Sequence, residues 1–331
     1  MPQQPSPATR TAIAFAVAIA AAGYVWAYAR ANPDFVSDFD QVWAGARALW
    51  HHQDPYRVVG PRGAFLWKWP LYYPLPALLL VSPLGLLPVV ASRVIFTAVS
   101  AGLLTFALTR GGYARLPLLL SISFVTAVEL VQWSPLLTAA MLLPSLGWVA
   151  VTKPNLGLAM AAHASSRRAL TFMAAGSAAL LAASFVVMPA WFGEWLAAVR
   201  GAPHFVAPVM RPFGFVLLAA LARWRRPDAR LVAALGCIPQ TPTFYDHVLL
   251  FVVPRTSRES LTFTALTLGV YFSVAFAAPF ETFQQWGDFV ATATLVLVYI
   301  PALVMVLRRP NEGPMPAFME RLRARLRRRA A

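Results

Sequence analysis

The chain of 331 residues is 59% hydrophobic and only 12% charged, whereas soluble globular proteins are about 45–50% apolar and about 25% charged. This composition leaves too little polar surface for a soluble domain and indicates an integral membrane protein. The formal net charge of +15 comes partly from an arginine-rich C-terminal end, which is typical of a cytoplasmic segment beside the membrane. The single cysteine, Cys237, excludes an internal disulfide and any cysteine-based metal site.

The first predicted membrane helix runs from Thr11 to Tyr28, an uncharged segment between Arg10 and Arg30. At about 1.5 Å per residue, it nearly spans the ~30 Å hydrocarbon core of a bilayer. The aromatic residues near its end fit an interfacial belt better than the small-residue cleavage site of a signal peptide. We therefore expect an uncleaved helix.

Residues 31–70 form a mixed polar segment that holds four of the chain's 13 acidic residues: Asp34, Asp38, Asp40 and Asp54. Between residues 37 and 50, apolar side chains recur at spacings of three and four, which predicts a short amphipathic helix on the membrane surface. Ser37 and Asp40 have the spacing of a capping box, with Ser37 or Asp38 as the N-cap. Helix capping is therefore one interpretation of these acids, and a positioned general base is the other.

Apolar runs then follow in quick succession, at about 71–89, 93–109, 116–131, 134–151, 154–166, 169–189, 212–222, 231–242, 248–254, 261–279 and 289–307. Several are too short to span a membrane, and short runs interrupted by proline are typical of broken or re-entrant helices that line a protein cavity. We expect an all-α fold, a polytopic transmembrane bundle with about 10–12 membrane segments, in a single domain of residues 1–307.

Lysine and arginine distribution predicts the orientation, because cytoplasmic loops are enriched in both. Residues 167–168, residues 223–230 and the tail at 308–331 are basic, which places both termini in the cytoplasm and residues 31–70 on the outer face. In the tail, Phe318, Leu322 and Leu326 recur every four residues, as in an amphipathic helix on anionic lipid. Membrane lipids are therefore the expected partner of the tail, and a nucleic acid is not.

Four stretches in chain order carry a family resemblance. They are Asp38-Phe39 with Trp43–Leu49 and Asp54–Tyr56, then Tyr73–Leu79, then Gln132–Leu137 leading to Lys153-Pro154, and then Thr241–His247. Together they resemble the bacterial polyprenyl-phosphate-mannose-dependent mannosyltransferases, glycosyltransferase family 87 of the C-type membrane glycosyltransferase superfamily. The resemblance covers about residues 11–255. Glu129-Leu130-Val131-Gln132 departs from it by replacing a Gly-Gln pair.

The resemblance implies a multi-pass enzyme of the bacterial inner membrane. Such an enzyme moves a hexose, with mannose expected, from a polyprenyl-phosphate donor to a lipid or glycan acceptor on the outer, periplasmic face. An acidic residue at the start of the first outer loop is the general base in this superfamily, and by position that residue is Asp38, with Asp40 as its neighbour. One carboxylate suffices for an inverting transfer, because the lipid phosphate is already a good leaving group.

The other candidate site residues each have two interpretations. His247 is a second catalytic candidate or a histidine satisfied at the membrane interface. Lys153, one of two lysines in the chain, is a partner for a lipid phosphate or a positive-inside anchor. Glu129 is a substrate-site acid or a polar contact between helices. Three further residues belong to the predicted substrate site: Gln132, Tyr245 and Asp246.

No cofactor is expected besides the lipid-linked donor, and no divalent metal is indicated. His51 and His52 are adjacent, so their side chains point apart on a helix, and no further ligand lies at metal spacing. Asp38-Phe39-Asp40 matches the Asp-x-Asp pair of nucleotide-sugar enzymes in form only. It is predicted to lie on the outer face of the membrane, where nucleotide sugars are not supplied. A transporter or flippase without catalysis, and a degenerate family member, remain as alternatives.

Overall fold

The computed structural model describes residues 5–202, 205–239 and 245–313. Helices make up 75% of the structure, which confirms the predicted all-α class. The α-helices in chain order are α1 (Pro7–Ala31), α2 (Asp38–Trp50), α3 (Pro55–Val58), α4 (Leu75–Val81), α5 (Val89–Leu108), α6 (Ile122–Glu129), α7 (Ser134–Leu142), α8 (Pro154–His163), α9 (Arg167–Val187), α10 (Trp191–Arg200), α11 (Pro227–Cys237), α12 (Ser257–Ala277), α13 (Phe283–Thr294) and α14 (Ile300–Leu307).

Short 3₁₀ helices fill many of the connections. They cover Ser82–Leu86, Thr109–Gly111, Leu116–Leu120, Pro144–Thr152, Pro208–Met210, Gly214–Arg223 and Asp246–Val252. A π-helical segment, Leu295–Tyr299, joins α13 to α14. In the first loop, the two-residue strands β1 (Val59–Gly60) and β2 (Phe65–Leu66) pair in parallel. The predicted tail helix at residues 318–326 and Thr241–Phe244 of the fourth motif lie outside the described residues.

Five helices in the described part of the chain are long and apolar enough to cross a membrane: Pro7–Ala31, Val89–Gly111, Arg167–Val187, Ser257–Ala277 and Phe283–Leu307. Helices α6 and α7 qualify together as a sixth, bent by 118° at a short break. This number is smaller than the 10–12 segments expected, because other apolar runs fold as short α- or 3₁₀ helices. The run at 248–254 is one of these, as its proline predicts.

Small residues let α1 pack closely along α5. Ala14, Ala21 and Val25 form the buried stripe of α1, and a Cβ placed on Gly102 of α5 would lie 3.3 Å from the Ala18 Cβ. Close approach through small side chains is how helices associate in lipid, where burial of apolar surface gives little driving force. By contrast, α9 buries only Ser184, so its apolar surface faces lipid.

Helix α5 links two ends of the bundle with different chemistry. Near its start, Arg93 bonds Asp40 of α2. Just beyond its end, Arg115 donates to the carbonyls of Val252 and Pro254, where the 3₁₀ helix Asp246–Val252 ends. The part of α5 between these two ends, from Arg93 to Leu108, is about 22 Å long. We call them the Asp38 end and the Asp228 end, after the acidic residue at the centre of each.

Candidate active site at the Asp38 end

Helix α2 begins as its capping pattern predicts, with Ser37 as the N-cap. The Asp40 carboxylate accepts hydrogen bonds from the Ser37 backbone N–H (2.9 Å) and the Ser37 hydroxyl (2.8 Å). Both Asp40 oxygens also accept from the Arg93 guanidinium, whose Nε lies 2.7 Å from Oδ1. Asp40 is 2% exposed, so its carboxylate is occupied in joining α2 to α5, and the structure does not place it with the other candidates for substrate binding.

Asp38 has different surroundings, because its carboxylate takes no part in the capping box and bonds residues of other segments. Its Oδ2 atom accepts a hydrogen bond from Gln132 Nε2 at 2.6 Å and another from the Tyr245 hydroxyl at 3.0 Å. The three residues come from α2, from the break between α6 and α7, and from the segment before the 3₁₀ helix Asp246–Val252. Segments far apart in sequence therefore converge on one carboxylate.

Gln132 reaches Asp38 because α6 ends in an unusual turn. The Gln132 N–H bonds the Ala127 carbonyl at 2.7 Å, and the Val131 N–H bonds the Val128 carbonyl at 3.1 Å, the two bonds of a Schellman motif. That motif requires a left-handed residue, normally glycine, and Val131 occupies the position with φ +54°. A positive φ at a β-branched residue is strained, and strain of this kind is concentrated at functional sites.

A buried ion pair lies beside the Asp38 carboxylate. Lys153 Nζ is 2.6 Å from Asp246 Oδ1, with the Lys153 side chain 15% exposed and that of Asp246 2% exposed. The same ammonium lies 5.4 Å from the centre of the Tyr245 ring, and Tyr245 bonds Asp38. The backbone of Lys153 is not helical, because Pro154, the first residue of α8, disfavours helical backbone before it. We call Asp38, Gln132, Lys153, Tyr245 and Asp246 the Asp38 site.

Aromatic rings form the wall behind the Asp38 site. Trp133 is fully buried and packs edge-on against Phe96 of α5, with 5.0 Å between ring centres. Phe96 also packs against Phe39 of α2 at 4.7 Å, and Tyr73 lies 6.1 Å from Trp133. Burial beside Asp38 and Asp246 holds the pKa of Tyr73 well above its ordinary value. The wall excludes water from one side of the site, which strengthens the electrostatic interactions within it.

The electrostatics favour a basic Asp38 carboxylate. Burial raises the pKa of Asp38, because a charged carboxylate loses hydration there. The hydrogen bond from Tyr245 and the positive charges of Lys153 and Lys68 oppose this rise, since each favours the ionised form. The two lysines of the chain thus both act on this carboxylate, which combines a raised pKa with specific partners.

His247 contacts α6. Its Nε2 lies 2.6 Å from the hydroxyl of Ser123 in α6, and the side chain is 2% exposed. Burial lowers the pKa of His247 to about 3, so the imidazole is neutral at physiological pH. The structure thus joins His247 to α6 and shows no hydrogen bond between it and the Asp38 site.

Glu129 also lies apart from the Asp38 site. Its Oε2 accepts a hydrogen bond from the Tyr24 hydroxyl of α1 at 2.8 Å. This contact joins α6 to α1, as expected if Glu129 is a polar contact between helices. Of the eight candidate residues, the structure therefore brings five together and places Asp40, His247 and Glu129 in contacts between helices.

Four buried polar atoms near the break between α6 and α7 have no hydrogen-bond partner among the described residues. They are Gln132 Oε1, Trp133 Nε1, Ser134 Oγ and Asp246 Oδ2. Buried polar groups are nearly always hydrogen-bonded, because an unpaired one costs roughly 1–3 kcal/mol. Three of the four belong to consecutive residues at the break, and the fourth belongs to the acid that pairs with Lys153.

The sequence analysis missed Arg93, which fixes the Asp38 loop on α5. Its signal is an arginine inside the otherwise apolar run from Val89 to Leu108, where a cation is expensive and needs a partner. The sequence also gave no reason to join His247 to Ser123, because a serine in an apolar helix commonly bonds its own backbone.

Within the described ranges, no three His, Cys, Asp or Glu side chains are placed to hold a metal ion. No protein-family model, curated protein or solved structure matches the chain. The resemblance to the polyprenyl-phosphate-mannose-dependent enzymes therefore stays a prediction, and the function is argued from the Asp38 site.

Proposed function

We propose that the protein is a membrane hexosyltransferase that uses a polyprenyl-phosphate-linked sugar, with mannose expected, and that Asp38 is its general base. The observation that carries this proposal is the Asp38 carboxylate itself, held by Gln132 and Tyr245 at distances of 2.6 and 3.0 Å beside the Lys153–Asp246 pair. A carboxylate fixed by two hydrogen-bond donors, with an ion pair alongside, is positioned for proton transfer.

The reaction needs one base and no covalent intermediate. Asp38 accepts the proton of the acceptor hydroxyl while that oxygen forms a bond to the anomeric carbon of the sugar. The bond from the anomeric carbon to the phosphate oxygen breaks, and the polyprenyl phosphate leaves with the electron pair. A single displacement inverts the anomeric centre, so a β-linked donor gives an α-linked product.

Lys153 is the proposed partner of the donor phosphate. It is a cation in a largely buried region, and it already pairs with Asp246 at 2.6 Å. A cation placed there stabilises the negative charge that develops on the leaving phosphate. The donor's lipid tail suits a site built among the helices of a membrane protein.

The unpaired polar atoms match the hydroxyl groups of a sugar. Gln132 Oε1 and Asp246 Oδ2 are acceptors, Trp133 Nε1 is a donor, and Ser134 Oγ is both. Sugar hydroxyls donate and accept at once, so a hexose can satisfy a mixed set of this kind. A phosphate, which mainly accepts at neutral pH, would leave the two acceptors unpaired.

The proposed location is the outer face of a bacterial inner membrane. Arg226, Arg255 and Arg309 meet at the Asp228 end, and arginine enrichment favours the cytoplasm for that end. Because α5 runs from the Asp38 end to the Asp228 end and is long and apolar enough to cross a membrane, the Asp38 site then lies on the outer, periplasmic face. Nucleotide sugars are cytoplasmic, so a lipid-linked donor is the one available there.

The test is hexose transfer by purified protein reconstituted in liposomes with a membrane extract as the acceptor source. We expect labelled mannose to be transferred from a short-chain polyprenyl-phosphate-mannose and not from a nucleotide-linked mannose, and to be α-linked in the product. Transfer from the nucleotide donor alone would contradict the proposal. Movement of the labelled lipid across the bilayer without any transfer would favour the alternative of a flippase.

A further inference from the structure

A second candidate site lies at the Asp228 end, just beyond the end of α5 that is opposite the Asp38 site. It is a pocket of about 270 Å³, lined by Leu108, Gly111, Gly112, Ala114, Arg115 and Arg255. The proposed transferase reaction does not use it. Its lining combines two guanidinium groups with an apolar side chain from the end of α5.

Arg115 is held in place by the main chain. Its Nε and Nη2 atoms donate to the carbonyls of Pro254 and Val252 at 2.8 and 2.9 Å, where the 3₁₀ helix Asp246–Val252 ends. These bonds fix the guanidinium without neutralising its charge. Arg255 is looser, since its side chain is 52% exposed and its ion pair with Asp228 is 3.6 Å long.

The ion-pair network around the pocket contains more cations than anions. Asp228 is shared by Arg226, Arg255 and Arg309, and Glu259 pairs with Arg309 at 2.7 Å. With Arg115 included, four arginines face two carboxylates. Burial lowers the pKa of Arg115, as does repulsion from the neighbouring charges of Arg255 and Arg309, whereas Asp228 and Glu259 raise it. An added anion relieves this repulsion.

An apolar surface begins close to the arginines. Helix α12 starts two residues after Arg255 and exposes Leu261, Leu268 and Phe272, which are 57%, 38% and 52% exposed. Their spacings of seven and four residues place them on one face of the helix. A ligand with an anionic group and a hydrocarbon chain matches this combination of surfaces, whereas free phosphate uses only the arginines.

We propose that this pocket binds the phosphate of an anionic phospholipid, with its acyl chains along α12. Basic pockets between membrane helices recognise lipid headgroups in this way. Bound lipid would join the end of α5 to the start of α12. The proposal does not depend on the transferase reaction, because it concerns the opposite end of the bundle.

Gly111 offers a direct test that leaves the arginine network intact. A Cβ placed on Gly111 would meet nothing within 4 Å, so the position accepts a side chain without a clash. We expect Gly111→Glu to add a negative charge to the pocket and to weaken binding of phosphatidylglycerol by about fivefold or more, the effect of about one charge near a membrane surface. Gly111→Gln has nearly the same shape and should bind the lipid as the wild type does.

Arg255 and Arg258 form a second matched pair. Both are exposed, but only Arg255 lines the pocket. Arg255→Gln should weaken phosphatidylglycerol binding by about fivefold, whereas Arg258→Gln should leave it unchanged. The measurement is native mass spectrometry of delipidated, detergent-solubilised protein titrated with phosphatidylglycerol, with phosphatidylcholine and with sodium phosphate in separate series.

The proposal predicts a preference of the wild type for phosphatidylglycerol over phosphatidylcholine, and a smaller preference in both Gly111→Glu and Arg255→Gln. Equal binding of both lipids by the wild type would overturn it, as would equal affinities in the two members of either matched pair. Occupation of the pocket by sodium phosphate as tightly as by phosphatidylglycerol would also overturn the assignment to a lipid. Thermal unfolding of each variant without lipid separates a loss of binding from a loss of folding.

Discussion

Asp38 and Asp40 lie two residues apart at the start of α2, and their carboxylates have separate environments. Asp40 accepts from Ser37 and Arg93, whereas Asp38 accepts from Gln132 and Tyr245. Because Asp40 and Ser37 cap the helix, Asp38 is not needed for capping. A substitution at Asp38 can therefore change the chemistry of the site while the start of α2 stays folded.

Tyr245→Phe tests whether Asp38 sets the pH dependence of transfer. Burial raises the pKa of Asp38 and the Tyr245 hydrogen bond lowers it, so removing the hydroxyl should raise the pKa further. The base is active only when ionised, so the acid limb of the rate profile should move to higher pH, by about one pH unit for one hydrogen bond to a charged group. The measurement is the pH dependence of kcat/KM for hexose transfer.

Tyr113→Phe is the control, because Tyr113 is 46% exposed and lies at the Asp228 end. Its pH profile should match that of the wild type. A lower rate for Tyr245→Phe with an unmoved acid limb would mean that Tyr245 does not act through the Asp38 carboxylate.

At the scale of single residues, the sequence predicted residues that the structure places together, and their roles stay predictions. The resemblance pointed to Asp38, Gln132, Lys153, Tyr245 and Asp246, and the structure places these five together. It also pointed to His247, which bonds Ser123 instead. Asp246 and His247 have different contacts because adjacent residues of a helix point to different sides. The sequence does not say which of these sides faces the site.

At the scale of elements, the break between α6 and α7 positions the site. The chain turns by 118° there, and the left-handed Val131 ends α6 so that Gln132 faces Asp38. In the sequence, this position was noticed only because Glu129-Leu130-Val131-Gln132 replaces the Gly-Gln pair that the family resemblance predicts. The left-handed position of a Schellman motif favours a residue without a Cβ, so valine is strained at this position.

Val131→Gly should be markedly less harmful than Val128→Gly. Both changes remove a buried valine side chain, 1% exposed at Val131 and 6% at Val128. Glycine relieves the positive φ at residue 131, strain worth roughly 1–3 kcal/mol, whereas inside α6 it costs roughly 0.5–1 kcal/mol relative to alanine. The midpoint of thermal unfolding in one detergent should therefore be higher for Val131→Gly.

Transfer activity gives a second measure for the same pair of variants. Val131→Gly should retain activity, because the bond from Gln132 to Asp38 depends on the left-handed turn and not on the valine side chain. An unfolding midpoint for Val131→Gly at or below that of Val128→Gly would contradict the presence of strain at the turn.

At the scale of the whole molecule, composition was sufficient for the class of fold but not for the number of spanning helices. Charge depletion and the apolar runs correctly predicted an all-α membrane protein. The number of membrane-length helices was lower than expected. Hydrophobicity shows which residues avoid water, but it does not determine whether they form one long helix or several short ones. The runs at 134–151 and 248–254 illustrate this, because both contain 3₁₀ segments packed inside the bundle.

The two ends of the bundle carry different charged groups, and α5 runs between them. At one end, Arg93 fixes the loop that carries Asp38, and at the other, Arg115 and Arg309 bond the carbonyls of Val252–Pro254. Cations at the C-terminal end of a helical segment interact favourably with its dipole. The 3₁₀ helix Asp246–Val252 therefore carries Asp246 of the Asp38 site at its start, and Arg115 and Arg309 bond carbonyls at its end.

The most direct test of the central claim compares hexose transfer by Asp38→Asn and Asp34→Asn. Asparagine keeps the shape of Asp38 but cannot accept the acceptor's proton, so transfer should fall by roughly 10²–10⁴-fold, with the unfolding midpoint unchanged. Asp34 is an exposed acid of the same loop, and Asp34→Asn should transfer as the wild type does. Wild-type activity in Asp38→Asn would contradict the assignment of Asp38 as the general base.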